Sequence, residues 1–95
     1  MTADEFNTKY NEYLESNHYG LDIHEPSIVK FLDEFFEEYL TKIEGFKYTQ
    51  IKIKYDDARF YFRTNTDHAD YATNEALCFL VENTINMLWK LSVAS

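Results

Sequence analysis

The segment from Gln50 to Arg63 constrains the fold more than any other part of this sequence. It reads as two strands joined at Asp56-Asp57, because apolar and polar residues alternate on either side of that pair. Side chains alternate between the two faces of a strand, so a two-residue turn gives this hairpin one apolar and one mainly basic face. The predicted inner face carries Ile51, Ile53, Tyr55, Ala58, Phe60 and Phe62. The predicted outer face carries Gln50, Lys52, Lys54, Arg59, Tyr61 and Arg63.

The basic outer face stands out because the chain as a whole is acidic. The 95 residues have a net charge of −8, yet residues 42–63 hold six of the nine Lys and Arg residues and only three acidic ones. A negative chain disfavours nonspecific nucleic-acid binding, although local positive charge could still bind an anion or an acidic partner. In the predicted pairing Lys54 lies opposite Arg59, and two like charges in that position are destabilising unless an anion neutralises them. Acidic helix residues, a second subunit or a ligand could supply that anion.

Helical periodicity on both sides of the hairpin predicts a small α+β domain, residues 1–95, with the element order ααββα. A capping-box spacing begins a first helix over residues 3–15, and a loop over residues 16–25 follows. Pro26 suits the first turn of a second helix, and Gly45 is predicted to end it.

After the second helix, the phase of the apolar residues changes between Tyr48 and Ile51, which predicts a β-bulge. Residues 64–67 offer caps for a last, long helix over residues 67–91. The predicted core combines the apolar faces of all these elements. Its members are Phe6, Tyr10, Leu14, Ile28, Leu32, Phe35, Phe36, Tyr39, Ile51, Ile53, Phe60, Phe62, Leu80, Leu88 and Trp89.

The second half of the last helix is apolar on more than one face, so a single neighbouring element cannot bury it. Two explanations remain open. The hairpin and the second helix flank it within one chain, or a second copy covers it in a homodimer. The residues predicted to form such an oligomer interface are Leu77, Val81, Ile85, Leu88 and Trp89.

Residues suited to catalysis or metal binding are not grouped in the sequence. His18, His24 and His68 are scattered, without ligand spacing to each other or to Cys78. Turn formation accounts for the adjacent carboxylates Asp56-Asp57. The two glycines of the chain cannot form a glycine-rich phosphate loop. We therefore expect a protein that is not an enzyme and that holds neither a metal nor a cofactor.

The single cysteine cannot form an internal disulfide, which is consistent with a reducing compartment. The sequence shows no secretory signal and no apolar run long enough for a membrane span. We expect a soluble cytoplasmic protein without a membrane partner.

The hairpin resembles a group of small, largely uncharacterised bacterial and bacteriophage proteins that share a Gln-Ile-Lys-x-Lys-Phe-Gly-x-Leu-Arg-Phe-Tyr segment. The residues that match this segment outright are Gln50, Ile51, Lys52, Lys54, Arg59, Phe60 and Tyr61. Tyr55 stands for the group's Phe, whereas Asp56 replaces its Gly and Ala58 its Leu. The resemblance implies a bacterial or phage origin and carries no assigned activity.

Two functions fit these features. The first is a non-enzymatic, acidic protein-binding module that modulates or inhibits a host protein through the basic hairpin face. An acidic surface that mimics nucleic acid is the other contact considered for this function, and it comprises Asp33, Glu34, Glu37 and Glu38. The alternative function is binding of single-stranded nucleic acid or a nucleotide by the basic face, with a base stacked on Tyr61 and cations on the phosphates.

Overall fold

A computed structural model of the chain describes residues 1–15, 18–65 and 71–94. The fold is α+β, as predicted, with helices at the N-terminus, a sheet, and a long C-terminal helix. The helices are α1 (Ala3–Lys9), α2 (Pro26–Glu38) and α3 (Tyr71–Ala94), and the strands are β1 (Gly20–Asp22), β2 (Lys47–Lys54) and β3 (Asp57–Arg63). Short 3₁₀ turns follow α1 at Asn11–Tyr13 and α2 at Leu40–Lys42. None of the described helices combines the length and the hydropathy needed to cross a membrane.

The sheet has three strands rather than the two of the predicted hairpin. Its order is β1-β2-β3, with β1 parallel and β3 antiparallel to the central strand β2. The prediction of a loop over residues 16–25 is therefore wrong at Gly20–Asp22. The predicted bulge is confirmed, because the pairing of β2 with β3 shifts register between Tyr48 and Gln50. The bulge lets Tyr48 and Ile51 both lie in the core, although their spacing of three would place them on opposite faces of a regular strand.

The turn of the hairpin lies one residue earlier than predicted, at Tyr55-Asp56. Both residues have positive φ, 54° and 61°, as in the type I′ turns that suit two-residue hairpins. Lys54 then pairs with Asp57, an opposite-charge pair that a turn at Asp56-Asp57 would not form. Because the turn still has two residues, the strand residues are divided between the inner and outer faces as predicted. Tyr55 is the exception, since it sits in the turn and is 89% exposed.

The helices are bounded differently from the sequence prediction. The first ends at Lys9 rather than residue 15, and the second ends at Glu38 rather than Gly45. In the second case the chain tightens into a 3₁₀ turn that buries Leu40 completely. The last helix extends to Ala94, and the predicted caps at residues 66 and 67 lie outside the described residues.

An aromatic cluster joins α1, α2 and β2 at the centre of the core. The rings of Phe6 and Phe36 pack edge to face with centroids 4.8 Å apart, and Phe36 packs on Tyr48 at 5.1 Å in the same manner. All three side chains are fully buried. Edge-to-face pairs of this kind add about 0.5–1.5 kcal/mol each to the burial of the rings.

The core face of α3 differs from the prediction. Leu77, Val81 and Ile85, which were expected at an oligomer interface, are 6%, 0% and 0% exposed and belong to the core of the single chain. Leu88 and Trp89 pack against the same core and are partly buried. Conversely, the predicted core residues Tyr39 and Leu80 are about half exposed, at 48% and 50%. The helix is apolar nearly all round, so its sequence does not indicate which face turns inward.

The outer edge of β1 is closed by one side chain of α1. Asn7 Oδ1 accepts a hydrogen bond from Leu21 N–H at 2.9 Å, and Asn7 Nδ2 donates to the Leu21 carbonyl at 3.0 Å. Tyr48 Oη also donates to Asn7 Oδ1. Gly20 has a φ of +70°, and a Cβ on it would lie 2.5 Å from Asn7 Oδ1. Glycine therefore allows the asparagine amide to take the place of a neighbouring strand.

Side chains of α3 close the opposite edge of the sheet. Asn86 Oδ1 accepts from the Ala58 N–H at 2.7 Å, and Glu82 Oε2 accepts from the Phe60 N–H at 2.8 Å. The Cys78 thiol donates to the Phe60 carbonyl at 3.6 Å. These three helix residues are spaced by four, so they form one row that runs antiparallel to β3. Burial, followed by the nearby Glu82 carboxylate, raises the pKa of the Cys78 thiol to about 11, which keeps it protonated.

Asn7→Ala is expected to lower the free energy of unfolding by about 1–3 kcal/mol, because it leaves the buried Leu21 backbone groups without partners. Urea denaturation followed by the fluorescence of Trp89 measures the change. Asn11→Ala, at an exposed asparagine in the 3₁₀ turn after α1, is the matched control and is expected to change stability by less than about 0.5 kcal/mol. Equal effects of the two variants would contradict a structural role for the Asn7 amide.

Candidate binding surface on the outer face of the sheet

The six residues predicted for the outer face of the hairpin lie on one face of the sheet. Gln50 is opposite Tyr61, and Lys52 is opposite Arg59. Lys52 also pairs with Asp22 of β1, so Asp22, Lys52 and Arg59 form one row across the three strands. We call the set of seven residues the outer sheet face: Asp22, Gln50, Lys52, Lys54, Arg59, Tyr61 and Arg63. Asp22 was missing from the sequence prediction because its strand was not recognised.

The helices pack against the inner face of the sheet, which leaves this outer face uncovered. Leu21, Ile51 and Phe60 point inward and are buried in the same core as the apolar residues of the three helices. Their neighbours Asp22, Lys52 and Arg59 point the other way by the alternation of a strand. The carboxylates of α2 therefore cannot neutralise the basic residues, because the sheet lies between them.

Two cations face each other at the centre of the outer sheet face. Arg59 Nη1 lies 3.7 Å from Asp57 Oδ2, at the distant limit of an ion pair between exposed groups. Among the described residues, Lys52 has no ion pair within 4.0 Å. The predicted like-charged pair thus exists, but it joins Lys52 rather than Lys54 to Arg59. Such a pair destabilises the sheet slightly in the absence of a bound anion.

Each end of the outer sheet face carries a further cation, and only the one at the Arg63 end is neutralised by an ion pair among the described residues. At one end Arg63 donates a hydrogen bond to the carboxylate of Glu15, which lies beside β2 because its N–H is bonded to the Tyr48 carbonyl. At the other end Lys54 lies opposite Asp57 in the strand pairing but forms no ion pair within 4.0 Å among the described residues, and its ammonium group lies 5.6 Å from the centroid of the Tyr55 ring. Lys52 and Lys54 thus have no ion pair among the described residues, and Arg59 has only its long contact to Asp57. Tyr61, which is 47% exposed, lies on the same face two residues along β3 from Arg59.

The four residues of the predicted acidic surface do not share one environment. Asp33 is tied to α1, where Lys9 Nζ donates at 2.8 Å and Tyr10 Oη donates at 2.6 Å. Partial burial raises the pKa of the Asp33 carboxyl, but these two hydrogen bonds outweigh burial, and the pKa lies below its usual range. Glu37 is 3.5 Å from the same lysine, whereas Glu34 and Glu38 are exposed. Only part of this surface is thus available as free negative charge.

The histidines do not form a metal or catalytic centre with one another in the described part of the chain. His24 Nε2 lies 3.6 Å from Asp22 Oδ1, His18 is exposed elsewhere, and His68 lies outside the described residues. No three His, Cys, Asp or Glu side chains among the described residues are placed to hold a metal ion.

No model of a known protein family matches the chain, and comparisons with curated proteins and with solved structures likewise find no similar protein. The interpretation of the outer sheet face therefore rests on its own geometry and charge.

Lys52→Gln is expected to leave the fold intact and to raise the free energy of unfolding by about 0.2–0.5 kcal/mol, because it removes the repulsion from Arg59. The gain should disappear in 1 M NaCl, where exposed charges are screened. Chemical denaturation at low and high salt measures both effects. Lys30→Gln, at an exposed position of α2, provides the control. A stability loss greater than about 0.5 kcal/mol in Lys52→Gln would instead show that the lysine stabilises the sheet, for example through Asp22.

Proposed function

We propose that this protein is a non-enzymatic binding module whose outer sheet face contacts an acidic segment of a partner protein. The observation that carries the proposal is the opposed pair Lys52 and Arg59 on a sheet face that no described helix covers. An acidic partner would neutralise this pair, and complementary charge would orient the encounter. The resemblance of the hairpin implies a bacterial or phage origin, and we propose that the protein modulates or inhibits a host protein. A single cysteine supports a cytoplasmic location.

The hydrogen bonding at the two sheet edges favours a partner that contacts the outer sheet face over a partner that adds a strand to the sheet. A partner that extends a sheet needs free backbone N–H and C=O groups along an edge strand. Here Asn7 occupies these groups at Leu21, and Glu82 and Asn86 occupy the N–H groups of β3 at Phe60 and Ala58. Side-chain contacts on the outer sheet face remain as the means of recognition.

Single-stranded nucleic acid is the alternative ligand for the same face. Tyr61 offers a stacking surface next to Arg59 and Arg63. Carboxylates interrupt the positive charge, however, at Asp22, at Asp57 and through the Arg63 contact with Glu15. A chain of net charge −8 also repels a polyanion. These features favour a protein partner, whose acidic residues need only meet one or two cations.

Capture from a bacterial cytoplasmic extract at low salt, with and without nuclease, tests the proposal. The wild-type protein is compared with a Lys52→Gln/Arg59→Gln variant and a Glu34→Gln/Glu38→Gln control. We expect a partner protein that is retained in both nuclease conditions and by the control, but is lost with the first variant. If the partner protein is lost only with the Glu34→Gln/Glu38→Gln variant, the contact lies on the acidic surface of α2 instead. Capture that depends on nucleic acid and on Lys52 and Arg59 would establish the alternative.

Self-association is proposed to use the exposed apolar stripe of α3, formed by Leu80, Met87 and Leu91. These side chains are 50%, 57% and 64% exposed. The stripe replaces the predicted interface, whose main residues are buried within the chain. Over 24 residues α3 carries only three charged side chains, so two acidic copies would repel each other least along this helix.

Light scattering tests this contact directly. We expect the wild-type protein to have about twice the 11.4 kDa mass of one chain, and Met87→Glu to be monomeric, because a buried unpaired carboxylate opposes association. Val93→Glu adds the same charge at an exposed position on another side of α3 and should remain dimeric. A wild-type protein that is monomeric at all concentrations would contradict the proposal.

A further inference from the structure

A cleft of about 600 Å³ lies at the hairpin-turn end of the molecule, remote from the Arg63 end of the outer sheet face. Three separate parts of the chain form it: the connection from β1 to α2, the turn between β2 and β3, and the C-terminal half of α3. Its size is within the range of pockets that bind small organic molecules. The lining residues are Asp22, Ile23, His24, Glu25, Ile53, Tyr55, Asp56 and Trp89.

The walls of the cleft combine aliphatic and aromatic side chains. Ile23 is buried, and Ile53 and Trp89 pack partly buried against the core. These groups can contact methylene chains, while the faces of Trp89 and Tyr55 can attract a cation. The Tyr55 ring already has a cation beside it in the structure, because the Lys54 ammonium lies 5.6 Å from its centroid.

The polar groups of the cleft are mostly anionic. Asp22, Glu25 and Asp56 contribute three carboxylates, and no Lys or Arg is among the described residues that line it. Glu25 is held in place by Ser92 Oγ, which donates at 2.7 Å, and by Ser27 Oγ at 3.2 Å. The other titratable groups are the phenol of Tyr55 and His24, whose imidazole lies 3.6 Å from Asp22 Oδ1.

The carboxylates are distributed around the cleft rather than gathered at one point. They are not among any three side chains placed to hold a metal ion in the described structure. A compact inorganic cation would therefore not be held by all three carboxylates at once. A flexible organic cation with several charged groups, separated by methylene segments, could meet all three and fill the apolar wall between them.

We infer that this cleft binds a linear aliphatic polyamine. Its ammonium groups pair with Asp22, Glu25 and Asp56, and its methylene segments lie against Ile23, Ile53 and the ring of Trp89. The site shares Asp22 with the outer sheet face, whereas the proposed protein contact depends on Lys52 and Arg59, which do not line the cleft.

Trp89 is the only tryptophan of the chain, so its fluorescence reports directly on the cleft. We expect spermidine to change the emission of the wild-type protein saturably, in buffer that contains enough NaCl to hold the ionic strength constant. MgCl₂ at the same ionic strength should not reproduce the change. Absence of a saturable response to spermidine would overturn the inference, and so would an equal response to Mg²⁺, which would indicate only general screening of an acidic protein.

Variants with matched charge locate the site. Asp22→Asn/Asp56→Asn is expected to weaken the apparent affinity for spermidine about five- to thirtyfold, because each of the two lost ion pairs is worth about 0.5–1 kcal/mol. Glu34→Gln/Glu38→Gln also removes two negative charges, on α2 and away from the cleft, and should leave the affinity within about twofold. Equal weakening in both proteins would overturn the assignment.

Folding of the variants is checked by urea denaturation. Should the double variant unfold, Asp56→Asn alone carries the test, since Asn suits the positive φ of this turn position. Its expected loss of affinity is about two- to fivefold, and an unchanged affinity would count against the inference.

Discussion

Helix side chains that complete the hydrogen bonding of the sheet edges determine the rest of this structure. A sheet of three strands, one of them only three residues long, has few backbone pairs and two exposed edges. Asn7 bonds both backbone groups of Leu21 at one edge, and Glu82 and Asn86 bond the N–H groups of β3 at the other. These contacts place α1 and α3 along opposite edges, and α2 fills the layer between them. All three helices consequently cover the same face, and the other face stays open.

This arrangement also separates the charges of the chain. The exposed carboxylates of α2, such as Glu34 and Glu38, lie on the outside of the helical layer, and Lys52 and Arg59 lie beyond the sheet on the other side. Charges on the two sides are kept apart by the core, so they cannot form direct ion pairs within one chain. The net charge of −8 is therefore distributed unevenly, with an acidic surface on the helical side and a basic surface on the sheet side. The binding properties of the protein follow from the local surface rather than from the total.

The sequence predicted the fold class and the division of the hairpin into faces, because that division depends only on the parity of the turn. It placed the turn one residue too late, since Tyr55 is a less obvious turn residue than Asp57 and the Lys54–Asp57 pairing could not be foreseen. Strand β1 was missed because its three residues are stabilised by a parallel partner about thirty positions later and by Asn7. Such contacts leave little trace in a local pattern.

Neither the inward face of α3 nor the cleft could be predicted from the local sequence pattern. Apolar residues surround most of that helix, and only its contacts with β3 decide that Val81 and Ile85 turn inward while Met87 faces solvent. Six residues of the outer sheet face were found from the hairpin alone, whereas Asp22 required the third strand. The cleft brings Asp22, Asp56 and Trp89 together from three distant segments, so no spacing in the sequence could indicate it.

The contrast between the sheet edges and the outer sheet face bears on function. At the edges, the backbone groups of Leu21 and Phe60 are matched with side-chain partners, as stability requires of a partly buried strand. On the outer sheet face, by contrast, Lys52 and Arg59 are direct cross-strand neighbours, and two like charges in that position are unfavourable for folding unless an anion neutralises them. The backbone hydrogen bonds at the sheet edges are satisfied, whereas the like-charged pair on the outer sheet face lowers the stability of the fold. An anionic ligand would restore that stability by neutralising the pair. For this reason the proposed partner contact is assigned to the paired cations rather than to the larger acidic surface.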